Sequence, residues 1–202
     1  MPHTFEDVRP RAGSPGPGPS PADELARSGF TVRGDLGQHF LRSAEAARRL
    51  LECAALAQGA EVLEVGAGLG TLSAEIAGAG YRIWAVEKDE RLGAGLLARL
   101  APFGERARVS VADVRDLDLD AGLDGEGVLV AILPFDAALA GALARHVFAA
   151  ADGIERGLLV VPDPPGALGG GLRVEEVDGI SRAEFWPKAP GMLRVVAVRR
   201  AR

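Results

Sequence analysis

The apolar residues of this chain form two recurrent patterns, short continuous runs and helical periodicities, which alternate from residue 43 onwards. A continuous run such as 128–133 is typical of a strand buried on both faces, as in a parallel sheet covered by helices. The runs predict strands at 61–65, 81–87, 108–112, 127–133 and 157–162. The periodic stretches predict helices from Ser43 towards Gly59 and at 70–78, 90–100 and 137–151.

Two further apolar segments, at 172–177 and 192–199, have no helical pattern between them. Consecutive strands without a crossover helix pair in an antiparallel arrangement. Strands that alternate with helices favour the α/β class. We therefore predict a doubly wound, Rossmann-like fold with a mostly parallel seven-stranded sheet that ends in an antiparallel hairpin.

The first 22 residues follow neither pattern, because residues 13–21 consist only of Gly, Pro and Ser. Such a composition resists any packed element. We expect a disordered arm at 1–22 and a single domain at 23–202, a length that suits one hydrophobic core.

The charge of the chain argues against a protein dedicated to nucleic acid. The net charge is -5 and the isoelectric point is about 5.3, so the overall field repels a phosphate backbone. The sequence also contains two groups of arginines. We interpret each group as part of a solvated helix or strand surface, and the alternative is that it forms a basic face. They are Arg33, Arg42, Arg48 and Arg49 near the start, and Arg194, Arg199, Arg200 and Arg202 at the end.

No apolar run approaches the ~20 residues of a membrane span, and the first residues lack the basic and apolar segments of a secretory leader. We expect a cytoplasmic protein without membrane contact. Since the chain has 3 His and 1 Cys, it offers no cluster of soft ligands, and we expect no metal site. Its oligomeric state is left open.

A glycine-rich turn follows the first predicted strand. Glycines stand at 66, 68 and 70, whereas a dinucleotide fingerprint needs its third glycine at 71, where Thr71 stands. Glycine lets the backbone turn sharply and approach a ligand closely. The spacing therefore favours S-adenosylmethionine (SAM) over NAD.

Two acidic residues end the next two predicted strands. Glu87 lies about 20 residues past the first glycine, where a carboxylate can accept hydrogen bonds from both ribose hydroxyls. Asp113 follows the third strand, where it can accept a hydrogen bond from the adenine amino group. Parallel strands end at one edge of the sheet, so the turn and both carboxylates are expected to line one pocket.

Upstream, residues 36–41 read Leu-Gly-Gln-His-Phe-Leu. With the glycine turn, this segment resembles the rRNA adenine-N6 dimethyltransferases, the family of the small-subunit dimethyladenosine transferase and the macrolide-resistance rRNA methylases. The resemblance implies the class I SAM-methyltransferase fold, an rRNA partner and a segment 36–41 that covers bound SAM. The candidate cofactor-binding residues are Gln38, His39, Leu41, Glu64, Gly66, Gly68, Gly70, Glu87, Lys88, Asp113 and Val114.

The family's acceptor motif, Asn-Leu-Pro-Tyr/Phe, corresponds here to Ile132, Leu133, Pro134 and Phe135. Phe135 is expected either to stack on a planar acceptor or to pack in the core. The family's Asn oxygen accepts a hydrogen bond from the adenine amine, which the Ile132 side chain cannot do. Losing one such group typically lowers a rate ~10²–10³-fold. Asp136 is a candidate substitute, although an N-cap is its more ordinary role.

Three functions follow from these residues. The first is a SAM-dependent methyltransferase with an rRNA adenine as acceptor, implied by the resemblance. The second is a methyltransferase for a small molecule in specialised metabolism, because the motif Asn and the family's helical C-terminal domain are both missing from the sequence. The third is a non-catalytic relative that binds SAM, its demethylated product S-adenosylhomocysteine (SAH), or a partner.

Overall fold

The computed structural model describes residues 20–123 and 126–201. Its strands are β1 (Phe40–Leu41), β2 (Glu61–Val65), β3 (Arg82–Glu87), β4 (Ala107–Val111), β5 (Gly127–Ile132), β6 (Ile154–Pro162), β7 (Leu172–Ile180), β8 (Phe185–Trp186) and β9 (Leu193–Arg200). Seven of them form one sheet in the order β4-β3-β2-β5-β6-β9-β7, and β1 pairs with β8 in a second sheet.

Strands β2 to β6 run parallel, whereas β9 is antiparallel to both of its neighbours, β6 and β7. Strand β2 lies at the centre with β3 on one side and β5 on the other, so the chain winds outwards in both directions. The predicted mostly parallel, doubly wound sheet with a terminal antiparallel hairpin is confirmed.

Helices cover both faces of the sheet. They are α1 (Pro21–Arg27), α2 (Ala44–Ala54), α3 (Thr71–Gly78), α4 (Glu90–Leu100), α5 (Leu119–Gly122) and α6 (Ala137–Ala150). Helices α2, α3 and α4 bury their apolar stripes in one core cluster, and α5 and α6 bury theirs in another. On β2, Val62 faces the first cluster while Leu63 and Val65 face the second, as the two-residue period of a strand requires.

The elements differ from the predictions mainly at their ends. Strand β6 begins at Ile154, three residues before the predicted 157, and α2 ends at Ala54, before the predicted approach to Gly59. The short strands β1 and β8 were not predicted, because two residues carry no usable periodicity and their pairing joins segments far apart in sequence.

Helix α1 begins inside the predicted arm of 1–22. Ser20 caps it, since its hydroxyl accepts a hydrogen bond from the backbone N–H of Asp23 at 3.1 Å, and Pro21 suits the first helical turn. The arm prediction for residues 1–19 lies outside the described residues. In the described part of the chain, no helix is long and apolar enough to cross a membrane.

Candidate active site

A cleft of about 310 Å³ opens at the carboxyl ends of β2, β3, β4 and β5, beneath the segment that precedes β1. In open α/β sheets this is the edge at which ligands bind, where the strand order changes direction. The predicted residues that line it are Gln38, His39, Gly66, Gly68, Glu87, Lys88, Asp113, Val114, Ile132, Leu133 and Pro134.

The glycine turn forms the floor of the cleft. Gly66, Gly68 and Gly70 have φ angles of 78°, 57° and 74°, in the left-handed region that side chains disfavour. A Cβ on Gly68 would lie 3.2 Å from the ring of Phe40, which packs directly over the turn. The turn therefore needs glycine both for its backbone conformation and for the close approach of the covering segment.

Glu87 braces this turn from the end of β3. Its carboxylate accepts hydrogen bonds from the backbone N–H of Gly68 and from that of Asp89, each at 2.7 Å. The residue is 7% exposed, and burial raises the pKa of its carboxyl group. Each oxygen keeps a second lone pair, so the carboxylate can still accept hydrogen bonds from a ligand in the cleft.

Asp113 lies at the end of β4 between two cations. Lys88 donates to its carboxylate at 2.8 Å, and the Arg115 guanidinium also bonds to it. The hydrogen bond from Arg115 is the main cause that lowers the pKa of Asp113, so this group is ionised at neutral pH. Lys88 thus holds the ends of β3 and β4 together at the cleft.

Gln38 ties the covering segment to the sheet. Its side-chain amide donates to Asp89 at 2.6 Å, while its oxygen accepts from the backbone N–H of Arg33 at 2.8 Å. Arg91 also binds Asp89, and its hydrogen bond lowers the pKa of that carboxyl to about 2. The polar atoms of Gln38 are thus engaged in holding the cover, although the residue lines the cleft.

His39 joins the cover to the loop after β8. Its Nδ1 lies 2.7 Å from the carbonyl oxygen of Pro187, and because a carbonyl only accepts, Nδ1 carries the proton. When the ring is neutral, this leaves Nε2 as a hydrogen-bond acceptor. The His39 ring packs against Phe135 with centroids 4.8 Å apart.

The acceptor motif forms the opposite rim. Ile132 ends β5, and the backbone N–H of Leu133 donates to Val160 in β6 at 3.1 Å. A Cβ on Gly37 would lie 2.9 Å from Pro134 Cβ, so the cover approaches this rim closely. The rim is thus apolar at its side chains, and Ile132 contributes only its backbone carbonyl as a polar atom.

Five predicted site residues do not line the cleft. Leu41 and Phe135 pack with the core cluster of α2 and α3, and Phe135 also meets Phe185 edge-on at 5.4 Å. Glu64 is 2% exposed beneath α3, and Gly70 is the N-cap of that helix. Asp136 caps α6, because its Oδ1 accepts from the N–H of Leu139 at 2.8 Å. These positions support the site from outside its lining.

Several residues of the site were missing from the sequence-based set, and Phe40, Arg115 and Asp89 are among them. Phe40 and Arg115 line the cleft, and Asp89 holds both Gln38 and Arg91. Asp89 precedes a helical pattern, which is the sequence signal of an N-cap. Among residues 20–123 and 126–201, no group of three or more His, Cys, Asp or Glu side chains is placed to hold a metal ion.

Known proteins match this chain in sequence. The model of the family "Ribosomal RNA adenine dimethylase" matches residues 29–163. Ribosomal RNA small subunit methyltransferase A of Leifsonia xyli subsp. xyli is 31% identical over 191 residues, covering 84% of this chain and 67% of that protein. The protein of the same name from Deinococcus radiodurans is 40% identical over 111 residues, covering 55% of this chain. That match spans 37% of the Deinococcus protein, well under half its length.

A solved structure matches the fold. The crystal structure of the 23S rRNA methyltransferase ErmE superimposes with a TM-score of 0.66 at 23% identity, covering 80% of this chain and 70% of that one. The architecture is therefore the class I SAM-methyltransferase fold, as the resemblance of residues 36–41 and the glycine turn implied.

Proposed function

The chain belongs to the ribosomal RNA adenine dimethylase family, and from that premise we propose that it is an enzyme that binds SAM in the cleft and methylates an adenine of rRNA. The observation that carries the proposal is the glycine turn braced by Glu87, beside Asp113 and under a cover held by Gln38 and His39. An rRNA acceptor would place the protein in the cytoplasm.

The residues present fit SAM. Any Cβ at Gly68 would press on Phe40, so glycine at this position lets the cover close over the turn that lines the cleft. A volume of about 310 Å³ lies at the lower end of the ~300–1,000 Å³ of small-molecule sites. We assign the ribose hydroxyls to Glu87, which accepts one hydrogen bond at each oxygen and keeps a second lone pair on both. We assign the adenine amine to Asp113, which lines the cleft and would exchange one of its contacts with Lys88 or Arg115 for the ligand. SAM supplies an activated methyl group on a sulfonium, so this chain needs only to bind and align.

The acceptor side is where the chain differs from its family. An adenine amine is a poor nucleophile because its lone pair is delocalised into the ring, and a hydrogen-bond acceptor beside it favours a more tetrahedral nitrogen. Ile132 offers its backbone carbonyl but no side-chain acceptor. We propose that Nε2 of His39 is the side-chain acceptor at this cleft, since its Nδ1 is occupied by the carbonyl of Pro187 and Asp136 caps α6 outside the lining.

The experiment is methyl transfer from labelled SAM to separated rRNA, protein and metabolite fractions, followed by the same assay with I132N. We expect label in adenines of rRNA, and a gain of about 10²–10³-fold in rate from the restored amide oxygen. An rRNA fraction that takes up no label, with either protein, would contradict the adenine acceptor.

Ile132 also favours a second candidate, a relative that binds SAM or SAH without methylating an adenine in rRNA. Label in the metabolite fraction alone would identify the small-molecule methyltransferase. Calorimetric binding of SAH together with no label in any fraction would identify the non-catalytic relative.

A further inference from the structure

We propose that a groove lined by arginines, at the end of the sheet away from the cleft, binds the phosphodiester backbone of RNA. The inference rests on the RNA acceptor of the proposed function and adds where the backbone of that RNA would lie. The groove has a volume of about 400 Å³ and is lined by Glu155, Arg156, Arg173, Arg199 and Arg200. We call it the arginine groove.

Three of these arginines form one row across three neighbouring strands. Arg199 of β9 pairs with Arg156 of β6 on one side and with Arg173 of β7 on the other. Paired residues share a face, and Leu158, two residues after Arg156, belongs to the core cluster of α2, so the row lies on the α2 face. With adjacent strands ~4.8 Å apart, the row extends about 10 Å, longer than one phosphate group needs.

The charge of this row is not neutralised by the protein. Like charges directly opposite each other in a sheet are destabilising. Within the described ranges, 20–123 and 126–201, neither Arg173 nor Arg199 forms an ion pair, and both are exposed. Arg194, five residues before Arg199, instead contacts Asp163 at 3.2 Å and Glu176 at 2.7 Å. Of the C-terminal group of arginines, Arg194 therefore belongs to an ion-pair network and Arg199 to the uncompensated row. Arg202 lies outside the described residues.

Backbone carbonyls hold the side chains of Arg156 and Arg200. Arg156 donates to the carbonyl oxygen of Ala54, at the end of α2, at 3.2 Å. Arg200 donates to the carbonyl oxygens of Ile154 at 3.0 Å and Ala151 at 2.6 Å. Carbonyls hold a guanidinium in place without cancelling its charge, so Arg156 is positioned before any ligand arrives. Arg200 follows Arg199 in β9 and projects from the opposite face of the sheet, so it borders the groove without belonging to the row.

The carboxylates near the groove do not balance it. Glu155 is exposed at its edge, and Asp152, 92% exposed at its side chain, lies 4.0 Å from Arg200. Four arginines thus line the groove beside one carboxylate, that of Glu155, in a protein whose net charge is -5. Guanidinium groups bind phosphate oxygens in a bidentate manner, which suits a row of them to a chain of phosphates.

The arginine groove is too far from the cleft for a small acceptor molecule to contact both, whereas an RNA is long enough. Arg156 is six residues before Pro162, the end of β6 nearest the cleft edge, and at ~3.3 Å per residue this is about 20 Å. An adenosine in the cleft could not span that distance, whereas a folded RNA could contact both places.

The test measures binding of a short fluorescein-labelled RNA hairpin by anisotropy over a salt series, with R199E, R199K and R106E. Arg106 is also exposed but precedes β4, at the opposite edge of the sheet. We expect R199E to weaken binding about 10-fold and to lower the slope of log affinity against log salt by about one or more. R199K keeps the positive charge but not the bidentate guanidinium, so it should lose less affinity than R199E and keep most of the salt slope. R106E should change little. Thermal melting checks that each variant is folded.

Several results would overturn the groove. One is an equal loss of RNA affinity in R199E and R106E. Another is a wild-type protein whose RNA binding does not depend on salt. A third is polyglutamate that competes with the labelled hairpin as effectively as unlabelled RNA does. The assay needs neither SAM nor turnover, so the two proposals fail separately. Methyl transfer to rRNA with an unchanged R199E rejects the groove alone, and a weakened R199E without methyl transfer rejects the enzymatic function alone.

Discussion

Glu64 is an ionisable residue buried in the core, an environment that disfavours its charged form. It lies in the central strand, 2% exposed beneath α3, where Ser73 donates a hydrogen bond to its carboxyl group. Burial raises its pKa from 4.5 to about 8; the hydrogen bond from Ser73 opposes the shift, and the nearby Glu87 adds to it. The carboxyl is therefore mostly neutral at pH 7 and supports α3 as a polar core group.

This protonation makes stability depend on pH. Because the folded-state pKa lies above the unfolded value, the folded protein holds the proton more tightly, and its stability falls as pH rises from 4.5 to about 8. The slope for one group approaches about 1.4 kcal/mol per pH unit. We expect the free energy of unfolding of E64Q, measured by urea unfolding, to depend less on pH over this window. At the alkaline end of the window, E64Q should have lost less stability relative to pH 4.5 than the wild type has. The pKa of Glu87 is also raised, but Glu87 is present in both proteins, so the difference between the two profiles reports mainly on Glu64. Parallel pH profiles would contradict the assignment.

At the scale of elements, the start of helix α6 shows that Asp136 has a structural role and does not contact the cleft. It begins directly after the acceptor motif, and Asp136 satisfies one of its free N–H groups. Ile132 to Phe135 are therefore held between the end of β5 and a capped helix start. The cap positions the motif, and the residue that provides it does not line the cleft.

Removal of this cap should affect stability and leave the chemistry intact. We expect D136A to lower the free energy of unfolding by about 1 kcal/mol, while D136N keeps an oxygen that can cap and stays near wild type. Methyl transfer per folded molecule should be unchanged in both variants. A loss of transfer in D136A and D136N with normal unfolding curves would instead give Asp136 a part in the reaction.

For the molecule as a whole, the cleft couples ligand binding to the fold. The cover, the glycine turn and the ends of β3 and β4 are joined through Glu87, Asp89 and Asp113, so a ligand among them stabilises the folded state only. At 100 times its dissociation constant, SAM or SAH should add about 2.7 kcal/mol. For a domain of this size that corresponds to a rise of about 5–10 °C in melting temperature.

The variant E87A tests this rise in melting temperature, and E90A is its control. E87A loses the acceptor for the N–H groups of Gly68 and Asp89, and with it the proposed ribose contact, so the shift should disappear. Glu90 is exposed in the first turn of α4, and E90A should keep the full shift. An E87A protein that SAM stabilises as much as wild type would contradict the assignment of Glu87.

The sequence by itself determined the seven strands of the main sheet, helices α2, α3, α4 and α6, and the residues at the strand ends. These depend on local patterns: a buried run of apolar residues, a helical period, or glycines at 66, 68 and 70. Because parallel strands end at one edge, the meeting of Glu87 and Asp113 with the turn followed from the pattern as well.

Only the tertiary structure decided which distant segments touch. His39 and Pro187 are separated by 148 residues, and their contact depends on the pairing of β1 with β8. The row of Arg156, Arg199 and Arg173 depends on strand order and on register, in which a shift of one residue moves a side chain to the other face. Periodicity states that a segment is a strand but not which strand lies beside it, so the cover of the cleft and the arginine groove were set by packing.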